Sequence, residues 1–131
     1  MNFLGMITIV VDDYDSAISH YVNELDFLLI EDTVISLEKR WVVVAPGNNG
    51  SKILLAKATN QDQSAAIGNS TGGRVGFFLY TTEFLKTFQK YKSKGIEFIE
   101  EPRNETYGHV VVFKDKYGNK WDLIENNKSK K

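Results

Sequence analysis

The chain has 131 residues, with 16 Lys+Arg set against 17 Asp+Glu for a net charge of −1. That length suits one compact domain, and the charge balance leaves no footprint for nucleic acid or for an acidic membrane surface. No cysteine is present, which excludes disulfides, Cys-ligated zinc and thiol catalysis. A 42% hydrophobic, 12% aromatic composition is globular. The apolar runs are too short to span a bilayer, and Met1-Asn2-Phe3-Leu4-Gly5 lacks a signal-peptide pattern, so a cytoplasmic protein is expected.

In chain order, Ile7 to Val11 reads as a buried strand closed by Asp12-Asp13. Asp13 can cap a helix whose apolar stripe is Ala17, Ile18, Tyr21, Val22 and Leu25. His20 lies beside that stripe and is expected at the rim. Strands follow at Phe27–Ile30, Trp41–Ala45 and Ile53–Ala56, the last two joined by a turn cluster at 46–51. The segment from Thr59 to Gly73 is polar and glycine-rich, and reads as a connector serving as a lid or a dimer contact.

The second half repeats this order. Val75 to Tyr80 is a strand, and Thr81 or Thr82 can cap a helix with the stripe Phe84, Leu85, Phe88 and Tyr91, ended by Lys94-Gly95. Ile96–Ile99 is a strand stopped by Pro102. Val110–Phe113 and Lys120–Ile124 form a hairpin around residues 115–119. Trp41–Ala56 overlays His109–Ile124 without a gap at a constant offset (109 − 41 = 68). The expected architecture is therefore α+β, with two βαβββ modules forming a curved eight-stranded mixed sheet with a cleft. Its parts are a first module at 5–58, a connector at 59–73, a second module at 74–125 and a disordered tail at 126–131, all in one domain. The strands are nearly continuous in Val, Ile, Leu and Phe, which argues for cover on both faces and a ligand cleft beside one of them.

At this point the sequence resembles the glyoxalase/bleomycin-resistance/dioxygenase superfamily, also called the vicinal oxygen chelate fold. The opening Ile7-Thr8-Ile9-Val10-Val11-Asp12-Asp13 through Asp26-Phe27 is similar to its first strand, helix and turn. The closing Phe113-Lys114-Asp115-Lys116-Tyr117-Gly118-Asn119-Lys120-Trp121-Asp122-Leu123-Ile124-Glu125 is similar to its terminal motif. The resemblance implies metal ligands at Met6, Leu54, Arg74 and Asp122, and of these only Asp122 has a suitable donor. A cationic Arg74 repels a metal, so no metal or other cofactor is expected, a divalent ion at Asp122 being the alternative.

Arg74 and Asp122 are then expected to face each other. They form either an ion pair or a clamp in which Arg74 holds an anionic group and Asp122 orients it. Strand parity adds Phe78 and Tyr80 to the same wall. Met6, Trp41 and Tyr107 complete the candidate ligand contacts, and Asp122 with His109 are the candidates for acid–base chemistry. The resemblance thus implies a small-molecule-binding protein like the bleomycin-resistance branch, taking an anionic or aromatic ligand and working as a homodimer. The alternatives are a lactoylglutathione lyase-like or dioxygenase-like enzyme, using a metal or Asp122/His109 chemistry, and an interaction or regulatory protein with a vestigial pocket.

Overall fold

The structure is a computed structural model and describes residues 1–126. The expected tail lies outside the described residues except for Asn126, which instead closes the last strand. The fold is α+β and divides between Ile67 and Gly68 into two compact units.

In the first unit, β1 (Met6–Val11), β2 (Leu28–Val34), β3 (Arg40–Ala45) and β4 (Lys52–Lys57) form one sheet in the order β1-β4-β3-β2. β1 runs parallel to β4, and the other neighbours are antiparallel. Helix α1 (Tyr14–Ile18) starts where expected, because the Asp13 carboxylate accepts a hydrogen bond from the Ser16 N–H at 2.8 Å. It continues as a π-helical stretch (Ser19–Glu24) in which the Leu25 N–H donates to the His20 carbonyl, five residues back. The wider turn buries His20, contrary to the rim position expected for it, and its Nδ1 lies 2.6 Å from Glu24 Oε1. Tyr21, Leu25 and Phe27 pack into the core beside it.

The connector is not a loose segment. Asn60 caps a short helix, α2 (Gln61–Ala66), that lies against β1. In the second unit Gly68 (φ 72°) sits so close to the 115–119 turn that a Cβ there would come 1.8 Å from the Tyr117 carbonyl oxygen. Only glycine permits that approach.

The second unit contains β5 (Val75–Tyr80), α3 (Phe84–Ser93), β6 (Glu97–Phe98), β7 (Arg103–Glu105), β8 (Gly108–Lys114) and β9 (Lys120–Asn126). Its sheet order, β5-β9-β8-β6, is that of the first unit, with β7 also paired to β8. The edge strand therefore comes in two pieces separated by Pro102, which lacks a ladder donor, and the described strands number nine rather than eight. Helix α3 is not capped by Thr81 or Thr82. The buried Glu125 carboxylate on β9 accepts from the Phe84 N–H at 2.8 Å and supplies the cap from a distance. Phe84 and Tyr91 face the sheet as expected, but Leu85 is exposed.

The repeat holds with one amendment. The hairpins keep the offset of 68: Gly50 (φ 97°) and Gly118 (φ 96°) occupy the same left-handed position. The strand–helix halves do not. Asp13 and Glu83 are the corresponding N-cap residues (83 − 13 = 70). Thr8 pairs with Leu54 where Phe78 pairs with Asp122 (78 − 8 = 70, but 122 − 54 = 68). A register shift between Val75 and Phe77 absorbs part of the difference.

Asp115 fastens the β8–β9 turn. Its Oδ1 accepts from the Tyr117 and Asn119 N–H groups at 2.9 and 3.0 Å, and its Oδ2 from Asn119 Nδ2 and Trp121 Nε1, both at 3.0 Å. With the side chain buried, Asp115→Ala leaves four donors to find new partners. It is expected to cost about 2–4 kcal/mol of stability, read from the midpoint of urea unfolding with an unchanged slope.

Candidate functional site

The site begins with the pleat of β9. Pairing puts Val110 opposite Ile124 and Val112 opposite Asp122 on one face of the second sheet, with His109 opposite Glu125 and Phe113 opposite Trp121 on the other. The second of these faces receives α3. There Phe77 stacks on Trp121 at 4.6 Å, and Tyr91 meets Phe113 edge-on at 5.4 Å. The first face carries Phe78 beside Asp122 and Tyr80 beside Ile124.

A concavity of about 620 Å³ opens on that first face. Phe78 and Tyr80 come from β5, and Asp122, Ile124 and Asn126 from β9. Thr106 and Tyr107 enter from the turn between β7 and β8. Gly108 allows the turn to close over β9. Its φ is 145°, and a Cβ there would fall 2.1 Å from the Glu125 carbonyl oxygen. Phe78, Tyr80 and Tyr107 stand 57%, 62% and 49% exposed, which is unusual for large rings on strands and a turn where polar residues would cost nothing.

The electrostatics are set by one cation and several carboxylates. Arg103 donates through Nε to Glu100 at 3.0 Å and through Nη1 to Glu105, and Tyr107 also bonds its side chain. These partners hold the guanidinium firmly protonated. Glu100 Oε2 also accepts from the Val112 N–H at 3.1 Å, beside Asp122 in the ladder. Burial pushes the Asp122 carboxyl above its ordinary value; Arg103 pulls it down and Glu100 pushes it up.

Sequence reasoning placed Phe78, Tyr80, Tyr107 and Asp122 together, and so they are. Arg74 does not join them. It is exposed ahead of β5, four residues before the Phe78 that pairs with Asp122, or roughly 13 Å along an extended chain. The constant offset of 68 misplaced it, since Gly76 is the residue two positions before Phe78, as Met6 is before Thr8. His109 also falls away. It projects from the face opposite Asp122, its ring 5.7 Å from Phe84, so the two cannot share an acid–base task.

Met6 and Trp41 belong to the first unit. Met6 opens β1 with its side chain partly exposed. Trp41 lines a smaller concavity of about 330 Å³ with Tyr14, Arg40 and Leu54. There Arg40 is already engaged by Asp32 and Asp15 at 2.8 and 2.9 Å. Thr106, Asn126 and the Arg103 cluster were missed. Parity from Asp122 points to Asn126, which the reading of a tail at 126 concealed.

The residues at which resemblance implies metal ligands offer one carboxylate, one thioether, one aliphatic side chain and one guanidinium. Among the described residues no three His, Cys, Asp or Glu side chains converge as a metal site would require. Nor is any described helix long and apolar enough to cross a membrane.

Comparison with known proteins supplies a frame for this geometry. Residues 3–123 match the family model described as Glyoxalase/Bleomycin resistance protein/Dioxygenase superfamily. An uncharacterized protein of Shewanella frigidimarina (strain NCIMB 400) is 50% identical over 123 residues, 92% of this chain and 91% of the relative. Among solved structures, UcmS2 is 27% identical with a TM-score of 0.81, covering 95% of this chain and 98% of its own. TnmS3, an antibiotic binding protein from Streptomyces sp. CB03234, is 21% identical with a TM-score of 0.77, covering 97% and 98%.

The raised Asp122 carboxyl has a consequence for stability. The folded state holds that proton more tightly than the unfolded chain, so the associated stability is complete below the unfolded value. It is lost as pH rises through the elevated folded value. Asp122→Asn should therefore raise Tm at pH 7 by about 2 °C and lose that advantage in acid, below about pH 4. Calorimetry across the pH range checks both signs.

Proposed function

The chain belongs to the glyoxalase/bleomycin resistance protein/dioxygenase superfamily, and from that premise we propose that it is a cytoplasmic, metal-independent protein that binds a planar aromatic small molecule in the concavity of its second unit. The observation carrying this reading is the ring trio. Phe78, Tyr80 and Tyr107 leave about half or more of their accessible area in water around a single half-buried carboxylate. Apolar rings with a few convergent polar groups are how proteins recognise drug-sized molecules, and Asp122, Asn126 and Thr106 supply the polar points. The name of TnmS3 as an antibiotic binding protein supports the small-molecule part of the reading.

The metal-independent part rests on donor chemistry. Met6 and Leu54 offer hard cations nothing, and neither Arg74 nor the in-register Gly76 supplies the missing ligand. Acid–base catalysis by an Asp122–His109 pair is not part of the proposal, because the sheet lies between the two side chains.

A homodimer completes it. Strand β2 is an edge of its sheet and is exposed along its whole length, with Leu28, Leu29, Ile30 and Val34 each more than 40% exposed. An apolar open edge of this kind favours pairing with a second copy.

Two experiments test the proposal. In fluorescence titrations with acridine, the wild type should bind, and Phe78→Ala should weaken binding at least tenfold without loss of Tm. Binding insensitive to Phe78 would reject the site. In thermal melts, Zn, Ni, Mn and Fe(II) should leave Tm unchanged, whereas a bound metal would raise it. For assembly, sedimentation should show a dimer that dissociates in the Leu28→Lys/Ile30→Lys variant; a wild-type monomer would remove this part of the proposal.

A further inference from the structure

Given the concavity as the ligand site, we propose that its ligand is a planar aromatic cation rather than an anion. The inference deepens that reading and rests on it. Among the described residues the lining contains one carboxylic acid, Asp122, and neither Lys nor Arg. The charge beside it has the same sign. Glu100 and Glu105 both engage Arg103, so that cation is outnumbered before Asp122 is added. Among the described residues, two carboxylates engage one guanidinium and Asp122 lies within electrostatic reach of Arg103 and Glu100, so acids outnumber cations there.

The rings agree with the charges. Phe78, Tyr80 and Tyr107 line the space in which a ligand would lie, and an aromatic face attracts a cation where it repels an anion. No hydrogen bond or ion pair from the described residues to the Asp122 carboxylate is among those that tie Glu100, Glu105 and Glu125 to their partners. A positively charged N–H donor on the ligand would give it one, and the strength of such a charge-assisted bond grows as the aromatic body excludes water. Arg74, the group that would have favoured an anion, stands outside the concavity.

One ring system in three charge states provides the test. 9-Aminoacridine (cationic), acridine (neutral) and acridine-9-carboxylate (anionic) are titrated at pH 7.5 against the full chain, Phe78→Ala, Asp122→Asn and Asp122→Glu. The cation should bind at least tenfold more tightly than the carboxylate. Asp122→Asn should remove most of that gap by weakening the cation about fivefold or more, while Asp122→Glu retains the preference. Equal affinities that fall together in Phe78→Ala would overturn the charge assignment and leave the site intact. A carboxylate that binds best would do the same. If none of the three responds to Phe78→Ala, the site reading fails and this inference falls with it.

Discussion

Strand β9 is hydrogen-bonded on both sides, parallel to β5 and antiparallel to β8, and the phase of those two ladders decides what every neighbouring side chain can do. A slip of one residue would exchange Asp122 and Ile124 for Trp121 and Leu123, putting a carboxylate under α3 and an indole in the open. The Asp115 knot guards against that slip at the turn where the hairpin begins, and Glu125 guards it at the far end by tying the strand to the first turn of α3. Local hydrogen bonding at two buried acids thus fixes the geometry of a third acid that lies between them and, among the described residues, has no such partner of its own.

The three acids illustrate how environment separates roles among identical chemistry. Asp115 is buried and surrounded by donors, so its charge is compensated and it acts as a fastener. Glu125 is buried and spends its charge on a helix N-terminus. Asp122 is half-buried and, among the described residues, beside a region where carboxylates outnumber cations, so its carboxyl is raised above the ordinary value. Proteins tolerate the cost of such a shift where a ligand repays it, which is why the proposed site is centred on Asp122.

Much of this was legible in the sequence because periodicity is a local signal. Alternation along 77–80 and 121–124 put Phe78, Tyr80, Asp122 and Ile124 on one side, and the matching hairpins gave the doubled βαβββ order. Asp13 announced the start of α1 by residue type alone. What escaped depended on contacts between distant residues. The cap on Phe84 comes from Glu125, the Arg103 cluster is assembled across an interrupted edge strand, and His20 was turned inward by a π-helical register with no compositional mark. Arg74 was misassigned because one offset was applied to the whole repeat, when only the hairpins obey it.

That mismatch has a consequence for which positions of the two halves correspond. Bulges let a strand accept an extra residue without surrendering its ladder, and the irregularity at 75–77 accommodates part of the difference in length between the two opening strands. Point substitution alone cannot bring the opening strands of the two copies to the same offset as their hairpins. A side chain on the open face of the second copy therefore finds its counterpart in the first at a separation of 70 on β5 (Phe78 and Thr8) and of 68 on β9 (Asp122 and Leu54), so aromatic ring and carboxylate stand where the first copy has a hydroxyl and an aliphatic chain.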